Sequence, residues 1–470
     1  MTHAYLAFDL GAESGRAILG SLRDGLLDIT EVARFPNQPV RSHNSVHWDV
    51  LRLWHEMQRG LAEVPVAKLD SIAVDAWGVD YALIGESGEL LGNPLHYRDP
   101  RNSAAMESVC ARLTRERIYD VTGIQFMPIN TLNQLYAAAR ATPRLLAAAD
   151  ALITIPDLFN YWLSGSLGVE YTNATTTQFL DCHSLGWAAG LLKELEIPTR
   201  LLPPIFQPGS VIGQLKREVS STFAGVPVVA PACHDTGSAV AAIDTGGRAA
   251  FLSSGTWSLL GAEIKAPIVT PKACALNFTN EGGVCGTIRL LKNIGGLWLL
   301  QSCRRAWSFA GHEYSYDELL VAAAEQPKSA ALIDPDDPSF LSPDNMLEAI
   351  AAYCTRTGQP APQSPPEYTR CILESLAVKY RQVLESLEEL TGARFSEIRI
   401  IGGGSKNRLL NQLTASAAGR PVVAGPVEAT ALGNIAMQML ATGAVSSLKE
   451  ARAIIDRSFP AVRYEPGVTG

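Results

Sequence analysis

Two stretches far apart in the chain share one local pattern: AFDLGAESGRAILG at residues 7–20 and AAFLSSGTWSLLG at 249–261. Each is an apolar run, a short turn of glycine and small residues, and a second apolar run, which predicts a β-hairpin. The first reads as strand Tyr5–Leu10, turn Gly11–Gly15 and strand Arg16–Leu19, and in the second the turn is Ser253, Ser254, Gly255 and Thr256. A hairpin repeated in the two halves of a 470-residue chain predicts two related lobes, residues 1–242 and 243–470, joined near AIDTGGR at 242–248.

The intervening segments fix the class. SIAVDAWGVDYALI (71–84) reads as strand, turn and strand, and VPVVAPACHDTGSAVAAI (226–243) as a buried strand, a polar junction and the start of a helix. IRIIGGGSKNRLLNQLTASAAG (398–419) reads as strand, glycine turn and helix, and GGLWLLQSCRRAW and ALGNIAMQMLATGAV have helical periodicity. The alternation predicts α/β layers, with the Pro-rich GQPAPQSPPE (358–367) as a surface connection.

Charge and cysteine usage narrow the partners. With 39 Lys plus Arg against 47 Asp plus Glu the formal charge is −8, and no basic run offers a footprint for nucleic acid or an anionic membrane. The opening MTHAYLAFDLG has no basic segment before its short apolar run, which meets Asp9 too soon for a signal peptide, and no stretch approaches a membrane span. A cytoplasmic protein is expected, in which the glycosylation patterns at 173 and 277 carry no meaning. The eight cysteines lack any CxxC spacing, so a zinc site is disfavoured and reduced thiols are expected, with a Cys354–Cys371 pair as the alternative.

The first hairpin has the residues of a nucleotide-phosphate clamp. Glycine lets backbone N–H groups approach an anion, Arg16 adds positive charge, and Asp9 at the strand end suits a magnesium ion between carboxylate and phosphate. The other reading is a hairpin with a polar tip. The repeat at 253–256 supports the clamp, since two such turns can grip a phosphate chain. Gly402–Gly404, between a strand and a helix, would let the backbone pass flat under a bulky ring, and its spacing matches neither a P-loop nor a dinucleotide-binding turn. In APACHDTGSA, Asp235 follows a buried strand and opens a helix whose N-terminus favours an ionised carboxylate, so it can accept the proton of an attacking hydroxyl. The other reading is an N-cap aspartate beside a satisfied histidine. Trp77 reads as a ligand-stacking or a core residue, TNATTTQ as a cleft lining or a bonded turn, and Arg304 with Arg305 as a solvated helix end.

The ordered set DLGAESGR, DAWGVDYALI, YRDPRN, GIQFMPINTLNQL, EYTNATTTQFLD, ACHDTGSAV, FLSSGTWS, LKNIGGLWLLQ, GGGSKNRLLNQLTA and GPVEATALGNIA resembles the FGGY carbohydrate kinases of the actin-like ATPase superfamily, from residue 5 to near residue 460. The resemblance implies two ribonuclease-H-like lobes with ATP, magnesium and sugar in a cleft between them. It also implies phosphorylation of L-rhamnulose on its terminal hydroxyl, with no obligatory protein partner. A kinase of another ketose or polyol, such as L-fuculose or L-xylulose, and a non-catalytic actin-like ATP-binding module are the alternatives. By the same resemblance, Ala12, Glu13, Ser14, Gly15 and Arg16 form the first phosphate loop, Asp9 associates with magnesium and Asp235 is the proton acceptor. Sugar contacts fall on Gly78, His234, Asp235, Thr236 and Asn293, with Asp80 added from the same loop as Gly78, and further ATP contacts on Thr256, Gln301 and Gly403. The first loop departs from the family in carrying Ala12 where a threonine is common, and Glu13 adds a negative charge there; Ser14 and Arg16 remain as donors.

Overall fold

Strand β1 (His3–Leu10) is buried on both faces, which is why HAYLAFDL reads as a continuous apolar run rather than an alternation. The computed structural model describes residues 3–341 and 343–467 of the chain. β1 pairs antiparallel with β2 (Ser14–Arg23), and β2 with β3 (Leu26–Pro36). On its other side β1 runs parallel to β4 (Ser71–Ala76). With β5 (Ser210–Gln214) and β6 (Pro227–Ala230) these make a six-stranded sheet in the order β5-β6-β4-β1-β2-β3, β4 and β6 being parallel.

The second hairpin builds the same pattern again. β7 (Ala249–Ser254) pairs antiparallel with β8 (Trp257–Ile264) and parallel with β10 (Glu397–Ile401), which is parallel to β11 (Val422–Ala424). With β9 (Ile288–Gly295) beside β8, and β12 (Val462–Tyr464) beside β11, the order is β9-β8-β7-β10-β11-β12, and the strand Thr279–Gly282 extends the sheet beyond β9 to make seven. The run β3-β2-β1-β4-β6 of the first sheet thus has its counterpart in β9-β8-β7-β10-β11 of the second, so the repeat seen in the sequence is a repeat of topology. The turns are tighter than expected: Ser14 and Gly15 already belong to β2, and Ser253 and Ser254 to β7. Tyr81–Gly85 does not join the main sheet but pairs antiparallel with Ala149–Thr154.

Packing divides the chain into two compact units, one of Met1–Asp244, Glu263–Leu290 and Ala429–Phe459, the other of Thr245–Ala262, Leu291–Glu428 and Pro460–Gly470. The first crossing lies close to the boundary drawn from sequence. The chain returns twice to the first unit, and hydrogen bonds tie both returns. In the segment Glu263–Leu290, the Phe278 carbonyl accepts from Tyr119 Oη at 2.9 Å, and Asn280 Nδ2 donates to the Gly123 carbonyl at 3.0 Å. In the helix Ala429–Ala441, Asn434 and Gln438 form a buried polar stripe one turn apart. Gln438 Nε2 donates to the Leu6 carbonyl (3.1 Å) and to Asn434 Oδ1 (2.8 Å), and its Oε1 accepts from Ser71 Oγ (2.8 Å). The helix is thereby bonded to the edges of β1 and β4.

That helix also packs on the helix Asp235–Ala241, and glycine sets the spacing. A Cβ on Gly433 would fall on the Ser238 carbonyl oxygen and close to Ala242 N. Gly433→Ala is therefore expected to destabilise the protein by about 1–3 kcal/mol, the usual range for overpacking. Its midpoint in urea should drop accordingly, whereas Gly443→Ala, where a Cβ meets nothing within 4 Å but φ is +73°, should lose stability through backbone strain alone.

Candidate active site

Three adjacent parallel strands deliver acids to one end of the first sheet. Asp9, near the end of β1, lies in register with Asp75 on β4, and Ala76 at the end of β4 bridges in parallel to His234, where the chain beyond β6 turns into the helix Asp235–Ala241. Asp9, Asp75 and Asp235 thus sit at the carboxyl ends of neighbouring strands, the usual place for a ligand site in such sheets. Asp75 is fully buried: Asn434 Nδ2 donates to its Oδ2 at 2.6 Å, and its Oδ1 has no hydrogen-bond partner. Burial above all, and then the charge of Asp9, push the Asp75 carboxyl well above the ordinary carboxylate range. Asp9 Oδ2 is held by the Arg16 guanidinium. Among the described residues no cluster of three or more His, Cys, Asp or Glu is arranged to hold a metal.

The turn after β1 is braced rather than open. Gly11 N donates to the Ser14 carbonyl (2.9 Å), and Asn37 donates from Nδ2 to the Gly11 carbonyl (2.9 Å) and from its backbone N to Glu13 (3.0 Å). Ala12 is half-buried and Glu13 exposed. Neither Gly11 nor Gly15 takes a positive φ, and a Cβ on Gly15 would strike the Phe35 ring. Close packing on Phe35 therefore requires Gly15 to be glycine.

The turn at Gly78 is strained. Val79, a β-branched residue, has φ +69°, and Asp80 N donates back to the Gly78 carbonyl at 3.0 Å, closing a γ-turn of the unfavourable hand. Such a conformation persists only where its surroundings enforce it. Here Val79 N donates to Thr176 Oγ1 (3.1 Å), and its carbonyl accepts from Thr131 Oγ1 (2.5 Å) and Gln134 Nε2 (3.1 Å). Asp80 anchors the turn from inside: its Oδ2 accepts from the indoles of Trp48 (2.5 Å) and Trp77 (2.9 Å) and its Oδ1 from Gln134 Nε2 (3.0 Å). The expectation for Asp80 changes here, and of the two readings of Trp77 the core one holds. Asp80 is wholly buried and faces the indoles, and Trp77 packs on Trp48 at 4.3 Å between centroids within the core, so neither presents itself to a ligand. Burial pushes the Asp80 carboxyl up to about 7.

The junction before the helix Asp235–Ala241 is tied down by groups that the sequence did not reveal. TNATTTQ is mostly the short helix Tyr171–Thr176, and Glu170 caps it, accepting from Thr172 N (2.9 Å), Thr172 Oγ1 (2.6 Å) and also Cys233 N (2.9 Å). Thr172 Oγ1 in turn accepts from His234 N at 3.1 Å. Burial pushes the Glu170 carboxyl up to about 8. Asp235 remains partly open: its Oδ1 accepts from Thr236 N (2.5 Å) and Thr236 Oγ1 (3.2 Å) and lies 3.4 Å from His234 Nε2. A Cβ on Gly78 would lie 3.2 Å from His234 Nε2 and 3.1 Å from Thr176 Oγ1, so a side chain there would press on the imidazole and the threonine.

Asn293, Thr256, Gln301 and Gly403 belong to the second unit. There the carbonyls of Gly255 and Thr256 accept from Leu297 N (3.0 Å) and Trp298 N (3.1 Å), and Gly296 is pressed against both residues. Gln301 Oε1 is buried without a hydrogen-bond partner. Gly402 has φ +82°, and a Cβ on Gly403 would meet nothing within 4 Å, so the backbone there faces open space. Arg304 is not a solvated helix end: it lies within the helix Trp298–Phe309, and its Nε donates to the Tyr314 carbonyl at 3.1 Å. All eight cysteines are free, Cys354 and Cys371 included.

Residues 4–242 match the N-terminal domain, and residues 250–442 the C-terminal domain, of the FGGY family of carbohydrate kinases. Curated relatives include a rhamnulokinase of Bacteroides thetaiotaomicron, 45% identical over 99% of this chain and 96% of that protein. Another is a rhamnulokinase of Oceanobacillus iheyensis, 41% identical over 99% of this chain and 98% of that protein. Among solved structures, a ligand-bound xylulose kinase from Lactobacillus acidophilus superposes with a TM-score of 0.80 at 19% identity, covering 99% of this chain and 94% of that one. Plasmodium falciparum glycerol kinase with ADP superposes with a TM-score of 0.78 at 16% identity, covering 99% and 94%. The chain belongs to the FGGY family of carbohydrate kinases and has the two-domain fold of that family. It is a sugar kinase, for which ATP is the phosphoryl donor.

The Asp80 site yields a pH signature. Unfolded aspartate loses its proton near pH 4, whereas the folded carboxyl keeps it to about 7, so the native state binds more protons across that window. The associated stability is full below about pH 4 and is lost as the pH rises towards 7. Asp80→Asn should cost about 1–3 kcal/mol by disturbing the indole and Gln134 hydrogen bonds. Urea midpoints between pH 4 and 7 should decline less steeply for the variant than for the parent protein.

Proposed function

We propose that the protein is a cytoplasmic kinase that phosphorylates L-rhamnulose on its terminal hydroxyl, giving L-rhamnulose 1-phosphate and ADP in L-rhamnose catabolism. The observation that carries the choice of sugar is the full-length similarity to proteins named rhamnulokinase. Eight unpaired cysteines suit a reducing compartment.

The first unit supplies the acceptor side. His234, Thr236 and the Gly78 backbone contact the sugar, and Asp235, the partly exposed acid at the junction, takes the proton of the attacking hydroxyl. As the oxygen–phosphorus bond forms, the bond between the γ-phosphorus and the β,γ-bridging oxygen breaks and ADP leaves with that oxygen. Asp80 acts only through the turn it anchors. Residues 12–16 form the first phosphate loop, with Ser14 and Arg16 as donors in place of the absent threonine hydroxyl at Ala12. In the second unit, Asn293 contributes to sugar binding. Thr256, Gln301 and Gly403 contact ATP: the unpaired Gln301 oxygen suits an N–H donor, and the open face at Gly403 suits a flat ring.

The acidic strand ends fit a magnesium ion, which needs only one or two carboxylates beside water and phosphate oxygens. Asp9 and Asp75 would hold it, the Oδ1 of Asp75 being a buried acceptor with no partner. When bound, magnesium offsets phosphate charge.

ADP release by the purified protein with magnesium and ATP, measured across L-rhamnulose, L-fuculose, L-xylulose, D-xylulose, L-ribulose and glycerol, tests the assignment. The highest kcat/KM is expected for L-rhamnulose, and Asp235→Asn should lower turnover by about 10²- to 10⁴-fold while remaining folded. A preference for another sugar would move the substrate, and normal turnover in the variant would remove Asp235 from its role.

A further inference from the structure

Behind His234, away from Asp235, lies a buried ion pair with no part in the scheme above. Arg289, on β9, has no solvent exposure, and Glu281 is nearly as enclosed. The Arg289 guanidinium donates from Nε to the Gly282 carbonyl at 2.8 Å. Its Nη2 lies 3.3 Å from Glu281 Oε2 and within hydrogen-bonding geometry of His234 Nδ1 at 3.2 Å. Glu281 Oε2 itself lies 3.3 Å from Nδ1. Removing two charges from water is costly, and a pair of apolar residues would serve a core equally well or better. The placement of this pair against the side chain beside the proposed base calls for a reason.

The donor inventory supplies one. A guanidinium has only donors, so the ring nitrogen it bonds must present a lone pair, and the proton of a neutral imidazole then resides on the other nitrogen. We propose that Arg289 holds His234 as the Nε2–H tautomer, with Glu281 anchoring the guanidinium, so that the imidazole offers the sugar a hydrogen-bond donor and leaves Asp235 as the only proton acceptor at the junction. Nε2 is the nitrogen that faces Asp235 Oδ1, at 3.4 Å, and the Gly78 turn. In the opposite tautomer its lone pair would compete with Asp235 for the hydroxyl proton and repel the carboxylate. Arg289 and Glu281 are positioning residues: they touch His234 and not the reacting atoms. The inference rests on the assignment of His234 to the sugar site.

The tautomer can be read directly in the full-length protein without ligand. Imidazole ¹⁵N shifts of ¹⁵N-histidine-labelled protein, with the His234 signals assigned by their loss in His234→Asn, should show a protonated Nε2 and an unprotonated Nδ1. A protonated Nδ1 overturns the proposal, and this result does not depend on the identity of the sugar. Glu281→Leu combined with Arg289→Met removes the pair without leaving an orphan charge. It should shift the His234 tautomer and lower kcat/KM for L-rhamnulose by about 10- to 100-fold, the scale of a charge-assisted hydrogen bond. KM for ATP should stay within about twofold, and the same double change in a His234→Asn background should cost no more than about twofold. An equal loss in both backgrounds, or an unaltered tautomer in the variant, would mean that the pair serves only packing.

Discussion

The site depends on the register of three parallel strands. Pairing β1 with β4 so that Asp9 meets Asp75, and carrying the end of β4 alongside His234, sets three carboxylates at one sheet end with no freedom to separate. A slip of one residue would turn each of them to the opposite face. The sheet tolerates the three acids because each is handled differently: Asp9 by Arg16, Asp75 by burial with Asn434, and Asp235 by solvent and the Thr236 amide.

Around this end of the sheet the protein substitutes buried polar contacts for apolar packing, at a recurrent cost in desolvation. Glu170 gathers the amides of Thr172 and Cys233, Asp80 gathers two indoles, and Asn434 and Gln438 bond the sheet through a helix that is otherwise apolar. Each fixes a backbone segment that carries a proposed functional group: the Cys233–His234 junction, the Val79 turn, and the strand ends. Apolar contacts adapt to small displacements, whereas a carboxylate with several donors defines one geometry. The strain at Val79 persists because three side chains and Asp80 all enforce it.

The sequence made the architecture legible because the repeated hairpin is local, and local patterns survive translation into structure. It also made the polar ends of the central strands legible, since Asp9, Arg16, His234 and Asp235 interrupt apolar runs. Several features had no such signal. The packing of Gly15 on Phe35, which lies across the sheet on β3, has no counterpart in the local sequence. Asp80 and Trp77 lie in a loop that resembles a ligand-contacting one, and only the position of Trp48 reveals that they point inward. Glu170, Glu281 and Arg289 are charged residues of a kind usually found at the surface, and their burial comes from segments remote in sequence. The returns of Glu263–Leu290 and Ala429–Phe459 to the first unit likewise depend on contacts that no periodicity encodes.

Those returns have a consequence for synthesis. The ribosome releases the chain from its N-terminus, and a domain made of one continuous stretch can fold as soon as it emerges. Here the Leu6 carbonyl, Ser71 and Asp75 gain their partners from Asn434 and Gln438, which follow them by 432, 367 and 359 residues. Until then β1 and β4 hold polar groups for which no counterpart yet exists. The nascent protein must therefore carry Asp75 through 359 further residues before its partner Asn434 is made, and its most acidic sheet end stays unfinished until the helix Ala429–Ala441 emerges.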